Sequence, residues 1–174
     1  MKNKFLKNES EKQKYAFLDR DGTLIYEPPD DFQVDCLEKL FILPGVIRGL
    51  KKLRKNGYKL IMISNQDGLG TKSFPRTKFT LPQNRLLKIF KENGIEFEKI
   101  FICPHLPKNN CNCRKPKIGL VKRFLEENKI NIKNSFICGD RDSDKKFAKN
   151  IGIKFYKTST NGQFQVPRNN NVTM

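Results

Sequence analysis

The sequence predicts a single α/β domain built on a parallel β-sheet, and three observations predict it. From Tyr15 onward, short apolar runs rich in β-branched and aromatic residues alternate with amphipathic stretches, which is the sequence form of repeated β-α units. The chain has 174 residues, 37% of them hydrophobic and 14 of them Phe, enough apolar material for one core and one domain. Acidic pairs stand directly after two of the apolar runs, at Asp19 and Asp21 and at Asp140 and Asp144, where open α/β sheets place their ligands.

Five strands are predicted, over residues 15–18, 59–64, 99–103, 135–139 and 153–156, each apolar enough to be covered on both faces. Val46, Ile47, Leu50 and Leu53 fall at helical spacing and end at Asn56-Gly57, a C-terminal stop. Leu86, Leu87, Ile89 and Phe90 mark a second helix, stopped by Asn93-Gly94. Leu120, Val121, Phe124 and Leu125 mark a third, and residues 144–150 a short fourth closed by Gly152. Residues 22–44 and 104–116 fit neither pattern, and long loops in a compact domain are usually functional. Residues 1–14 read as a flexible extension, 15–160 as the folded domain and 161–174 as a disordered tail.

Asp19-Arg20-Asp21-Gly22-Thr23 puts two carboxylates at the carboxyl end of the first strand. Acids so close repel one another and need a cation, and an all-oxygen donor set suits Mg²⁺. One carboxylate is then placed to attack phosphorus while the other handles protons. Further stations follow in order at strand ends: Ser64 and Asn65, where a phosphate oxygen can be held, Arg114 and Lys115 as cations before the third helix, then Asp140 with Asp144.

Cys103-Pro104-His105 and Cys111-Asn112-Cys113 form a C-x-H-x₅-C-x-C pattern. Three thiolates and an imidazole suit tetrahedral Zn²⁺ and leave no open coordination position, so this metal is expected to be structural, ordering a polar loop just before Arg114 and Lys115. Cys36 and Cys138 read as small buried hydrophobes.

The ordered set of Asp-x-Asp-Gly-Thr, Ser, Lys and Gly-Asp resembles the haloacid dehalogenase-like phosphatases over about residues 15–158. The resemblance implies a Rossmann-like three-layer fold with a central parallel sheet, a zinc-stabilised loop and no large cap domain. It also implies Asp19 as the nucleophile and Asp21 as general acid and base. Mg²⁺ would be held by Asp19, the backbone carbonyl of Asp21, and Asp140. Ser64, Asn65, Arg114 and Lys115 would bind the substrate phosphate, with Asp144 supporting Lys115 or the metal site.

The zinc loop narrows the resemblance to histidinol-phosphatases and heptose-bisphosphate phosphatases. Its short spacer, and the stretches at residues 27–35 and 65–75, are similar to the histidinol-phosphatase domain at the amino end of a bifunctional histidine-biosynthesis enzyme. The implied substrate is L-histidinol phosphate. Its ammonium and imidazole call for acceptors, which Glu27 and Gln33 are expected to supply. The bifunctional enzyme continues into a dehydratase, an activity that the resemblance does not carry over to this chain. Rival readings are a heptose 1,7-bisphosphate 7-phosphatase, a polynucleotide end phosphatase, and a zinc-stabilised nucleic-acid binding module.

Thirty-five Lys plus Arg against eighteen Asp plus Glu give a net charge of +17, a balance that suggests nucleic acid. Yet 26 of the cations are Lys and 9 Arg, there is no Trp, and Tyr occurs four times, so the stacking-and-fork surface of a nucleic-acid binder is not evident. Nucleic acid is therefore not an expected partner. No apolar run nears the roughly 18 residues of a membrane span, and the start carries no secretory apolar region. With an odd number of cysteines, five, the expectation is a cytoplasmic protein away from membranes. The sequence leaves the oligomeric state open.

Overall fold

The computed structural model describes residues 12–167. Of the expected amino-terminal extension, residues 1–11 lie outside them; in the described part, Gln13 bridges to Ile130 and Lys14 already opens the first strand. Five strands form one all-parallel sheet: β1 (Lys14–Leu18), β2 (Tyr58–Asn65), β3 (Phe97–Cys103), β4 (Phe136–Gly139) and β5 (Lys154–Lys157), in the order β3-β2-β1-β4-β5. The four helices are α1 (Val46–Lys55), α2 (Arg76–Glu92), α3 (Lys122–Glu127) and α4 (Asp142–Ile151). This is the expected α/β architecture.

Alternation along the strands builds two cores, one on each face of the sheet. Ala16, Leu18, Leu60, Met62, Phe136 and Cys138 point to the face covered by Val46, Leu50 and Leu53 of α1 and Leu86 and Phe90 of α2. Tyr15, Phe17, Ile61, Ile63 and Ile137 point to the other, covered by Phe124 of α3 with Val121, and by Phe147 and Ala148 of α4. Both faces of the central strands are buried, so their sequences show continuous apolar runs. Among the described residues no helix is long and apolar enough to cross a membrane.

Two expectations need correction. Helix α2 starts at Arg76, ten residues before the first apolar residue read as helical, and it contains Pro82. A proline inside a helix removes one backbone hydrogen bond. Here Phe79, Pro82, Gln83, Leu86 and Phe90 are all buried against the sheet and loops, and that burial offsets the lost bond.

The expected disordered tail is the second correction. Phe164 is 3% exposed within the α1-side core, and its N–H donates to the carbonyl of Pro44 at 2.8 Å. A Cβ placed on Gly49 would lie 2.6 Å from the Phe164 ring, so the bare backbone of α1 is the seat of that ring. The segment 161–167 is therefore anchored in the core through Phe164; 168–174 lie outside the described residues. Truncating the ring, Phe164→Ala, is expected to cost about 3 kcal/mol in urea denaturation, whereas a disordered tail would show less than about 0.5 kcal/mol.

Candidate active site

The strand order reverses between β1 and β4: the chain runs from β1 outward to β2 and β3, then returns to the other side for β4 and β5. At such a switch point the loops diverge and leave a crevice at the carboxyl ends of the strands. Asp19 follows β1, its N–H donating to the Cys138 carbonyl of β4 at 2.9 Å, which sets Asp19 beside Asp140. The cleft there is lined by Asp19, Asp21, Glu27, Ser64, Asn65, Arg114, Lys115, Arg141 and Ser143. The chain turns out of β1 at Gly22, with φ +74°, where an added Cβ would stand 2.7 Å from an Asp140 carboxylate oxygen.

Lys115 is 3% exposed, and its ammonium donates to Asp19 Oδ1 at 2.7 Å, Asp144 Oδ1 at 2.6 Å and the Ile63 carbonyl at 3.1 Å. Burial works against its charge, but Asp19 and Asp144 outweigh burial and hold Lys115 up at about 12. Asp144 also accepts the Arg141 N–H through its other oxygen, 3.1 Å away, in the manner of a capping box at the start of α4. One buried carboxylate thus starts a helix and holds the Lys115 ammonium.

Burial first, then the Asp144 carboxylate, push Asp19 up to about 8 against the pull of Lys115. The fully buried environment thus disfavours ionised Asp19 unless further positive charge is supplied. Carboxylate oxygens of Asp19, Asp140 and Asp144 lie within 4.8 Å of one another. Counting formal charges in and around the cleft, six carboxylates (Asp19, Asp21, Glu27, Asp67, Asp140 and Asp144) stand against four cations (Arg20, Arg114, Lys115 and Arg141), a net of −2. An all-oxygen cluster with that deficit fits one divalent ion such as Mg²⁺. Asp140 Oδ2 accepts the Thr160 hydroxyl at 2.7 Å, which fixes that carboxylate.

Other expected residues are present with partners the sequence did not reveal. Ser64 Oγ donates to Asp21 Oδ2 at 3.3 Å and accepts from Gln66 Nε2 at 2.7 Å. Asn65 brackets the Lys115 backbone: its Oδ1 accepts the Lys115 N–H at 3.0 Å and its Nδ2 donates to the Lys115 carbonyl at 3.2 Å. Its amide therefore positions Lys115 as well as lining the cleft. Arg114 makes a two-pronged pair with Asp67 and donates to the His105 carbonyl at 3.2 Å.

Glu27 lines the cleft, paired with Arg141, and burial pushes it up to about 7 despite the lowering effect of that guanidinium. Gln33 is not brought into the cleft; its N–H bonds Asp31 within the loop at 3.1 Å. The loop turns between the two residues, with Phe32 at φ 56°, so sequence proximity does not carry Gln33 to the site.

Residues that sequence reasoning left unassigned complete the arrangement. Gln66 Nε2 donates to Asp21 Oδ2 at 2.5 Å. Asn161, after β5, grips the Glu27 backbone from both sides at 2.7 and 2.9 Å. Only Gln66 carried a local signal, its place immediately after Ser64-Asn65; Thr160 and Asn161 are brought in from more than 130 residues beyond Asp19 in sequence.

Beside the cleft, Cys103, His105, Cys111 and Cys113 converge at the end of β3. Their sulfurs are 3.2 to 3.7 Å apart, and His105 Nδ1 lies 3.1 Å from Cys113 Sγ and 3.7 Å from Cys103 Sγ. Bonds of about 2.3 Å to sulfur and 2.0 Å to nitrogen imply tetrahedral edges of about 3.5 to 3.8 Å, so the donor set fits zinc with only small adjustment. The cysteines are all free thiols. Arg114 and Lys115 follow Cys113 directly, which ties the orientation of the Lys115 segment to this cluster.

Comparison with known proteins agrees with this geometry. The chain is 51% identical over 144 residues to the histidine biosynthesis bifunctional protein HisB of Blochmanniella floridana, an alignment covering 83% of this chain and 40% of that protein. For the protein of the same name from Actinobacillus pleuropneumoniae the identity is 52% over 142 residues, covering 82% and 39%. The chain thus spans about two fifths of the length of the curated relatives it matches. Among solved structures, D,D-heptose 1.7-bisphosphate phosphatase from B. bronchiseptica, complexed with magnesium and phosphate, shares the fold with a TM-score of 0.75 at 24% identity, covering 83% of this chain and 80% of that one. A family model described as polynucleotide kinase 3 phosphatase matches residues 14–160. That span runs from β1 to Thr160 and takes in every carboxylate and cation counted in the cleft, and the chain belongs to the polynucleotide kinase 3 phosphatase family.

Proposed function

We propose that this chain is a Mg²⁺-dependent phosphomonoester hydrolase of the haloacid dehalogenase-like type, converting L-histidinol phosphate to L-histidinol and phosphate in histidine biosynthesis. The observation that carries the hydrolase reading is the buried Lys115 ammonium held between Asp19 and Asp144 at the switch point of the sheet. The choice of substrate rests on the roughly half-identical relatives named for histidine biosynthesis.

In this reading Asp19 attacks phosphorus. The bond from phosphorus to the substrate oxygen breaks as Asp21 gives that oxygen a proton, leaving a phosphoryl group on Asp19. Asp21 then takes a proton from water as the water oxygen attacks phosphorus, which frees inorganic phosphate and the Asp19 carboxylate. Lys115 and Ser64 hold phosphoryl oxygens, with Asn65 and Arg114 fixing the segment that carries Lys115. A magnesium ion held by Asp19, Asp140 and the Asp21 carbonyl would supply positive charge to the same oxygens. Asp144 belongs to Lys115.

Phosphate release from L-histidinol phosphate, heptose 1,7-bisphosphate and a 3′-phosphorylated oligonucleotide, measured side by side, tests the assignment. Histidinol phosphate should have the highest kcat/KM. A preference for heptose bisphosphate would follow the structural neighbour instead, and a preference for the oligonucleotide would follow the family's name and the net charge of +17. Glu27 is assigned to the cationic end of the substrate. Glu27→Gln should lower kcat/KM for histidinol phosphate about tenfold, within the 1–3 kcal/mol of a charged hydrogen bond; an unchanged value would sink that assignment.

The Cys103, His105, Cys111 and Cys113 cluster is assigned to structural zinc, held as thiolates in a reducing cytoplasm. Metal analysis should find one zinc per chain, and Cys113→Ser should lose it, lowering stability by about 4 kcal/mol and activity with it. Zinc retained by the Cys113→Ser variant would refute the ligand set.

A further inference from the structure

Arg20 stands between Asp19 and Asp21 in sequence, yet its side chain turns away from the cleft and is fully buried, 0% exposed. Its Nη1 donates to Asp21 Oδ1 at 2.5 Å, its Nε donates to Gln83 Oε1 of α2 at 2.9 Å, and its guanidinium lies 5.1 Å from the centre of the Phe79 ring of the same helix. Among the described residues its Nη2 has no hydrogen-bond partner. On the far side of the same carboxylate, Gln66 and Ser64 both donate to Asp21 Oδ2. Asp21 is thus gripped on both oxygens, by Arg20 backed by α2 on one side and by the end of β2 on the other.

A buried guanidinium with an unsatisfied nitrogen is expensive, and an aliphatic side chain could lie against Phe79 without that desolvation. We propose that Arg20, itself held by Gln83 and Phe79, is a positioning residue for Asp21, fixing the orientation from which Asp21 passes its proton to the departing alkoxide. The proposal deepens the hydrolase reading and rests on it. It extends the site into α2, whose residues touch neither phosphate nor metal in that reading.

A positioning role predicts a loss that depends on the leaving group. An alkoxide needs a proton to depart, whereas 4-nitrophenolate does not. The test compares Arg20→Met and Gln83→Met with the parent chain in magnesium, on L-histidinol phosphate and on 4-nitrophenyl phosphate. The readout is kcat/KM, which reports formation of the phosphorylated enzyme. Arg20→Met should lose about 10²-fold or more on histidinol phosphate and less than threefold on 4-nitrophenyl phosphate. The latter substrate should also show a burst of nitrophenolate, because Asp21 is still needed for the water step.

Gln83→Met should shift the two substrates in the same unequal way by a smaller factor, about tenfold on histidinol phosphate, and it decides the matter if Arg20→Met does not fold. Equal losses on both substrates would mean that Arg20 only supports the fold, overturning the inference while leaving the hydrolase reading intact. A parent chain that releases phosphate from neither substrate would overturn both.

Discussion

Replacing Asp19 with Asn is expected to abolish phosphate release, by about 10⁴-fold or more, while leaving the protein folded. The loss follows from the role assigned to Asp19, since an amide cannot take the phosphoryl group. Retention of the fold follows from the environment. The carboxyl is already pushed up to about 8 by burial and by Asp144, so the ionised group is strained where it sits. Lys115 keeps Asp144 and the Ile63 carbonyl as acceptors. Denaturation in metal-free buffer should place Asp19→Asn within about 1 kcal/mol of the parent, and the rise in stability that magnesium gives the parent should shrink or vanish. Measurable turnover by Asp19→Asn would remove the nucleophile assignment, since the other carboxylate on Lys115, Asp144, is 0% exposed and does not line the cleft.

Lys115→Met is expected to cost both activity and stability. Its ammonium is 2% exposed at the side chain and bridges carboxylates that are 8% and 0% exposed. Removing it leaves two acids facing one another in the interior, and breaking a buried pair in this way costs about 3–5 kcal/mol. For a domain of this size that is a fall in Tm of roughly 10 °C. The fall should be greater in EDTA than in magnesium, because a divalent ion replaces part of the missing charge. Hydrolysis should fall by at least about 10²-fold. An unchanged Tm would show that Asp19 and Asp144 do not need the lysine, contrary to the 2.7 and 2.6 Å contacts.

Much of this arrangement is legible before any fold is seen. A strand buried on both faces must be written as a continuous apolar run, and Phe17, Ile61, Ile63 and Ile137 announce it. Carboxylates placed after such runs are conspicuous, because an acid at the end of a buried strand has few reasons to be there. The cysteine and histidine pattern is legible for a similar reason: tetrahedral ligation constrains spacing along a short loop. Helix α2 was only half legible, because Pro82 interrupts the pattern that the burial of Phe79 and Gln83 sustains.

Residues that act through distant partners gave no such signal. Arg20 reads as an ordinary loop cation until Gln83 and Phe79 are found against it. Asn161 and Phe164 read as tail until the loop after β5 is seen folding back on Glu27 and on Gly49. Glu27 and Gln33 were equivalent candidates in one loop, and only its course separates them, turning Glu27 to Arg141 in the cleft and leaving Gln33 with Asp31.

By itself, then, the sequence determined the layered α/β fold, the candidate stations Asp19, Asp21, Ser64, Lys115 and Asp140, and the loop whose three cysteines and one histidine converge. Periodicity and ligand spacing are local properties of a chain. Tertiary structure alone decided which partner holds each of those groups: Asp144 and Asn65 for Lys115, Arg20 and Gln66 for Asp21, Thr160 for Asp140. Those pairings arise from the strand order β3-β2-β1-β4-β5. That order brings the ends of distant segments to one edge of the sheet, and buried polar groups must then find their hydrogen bonds among whatever meets there.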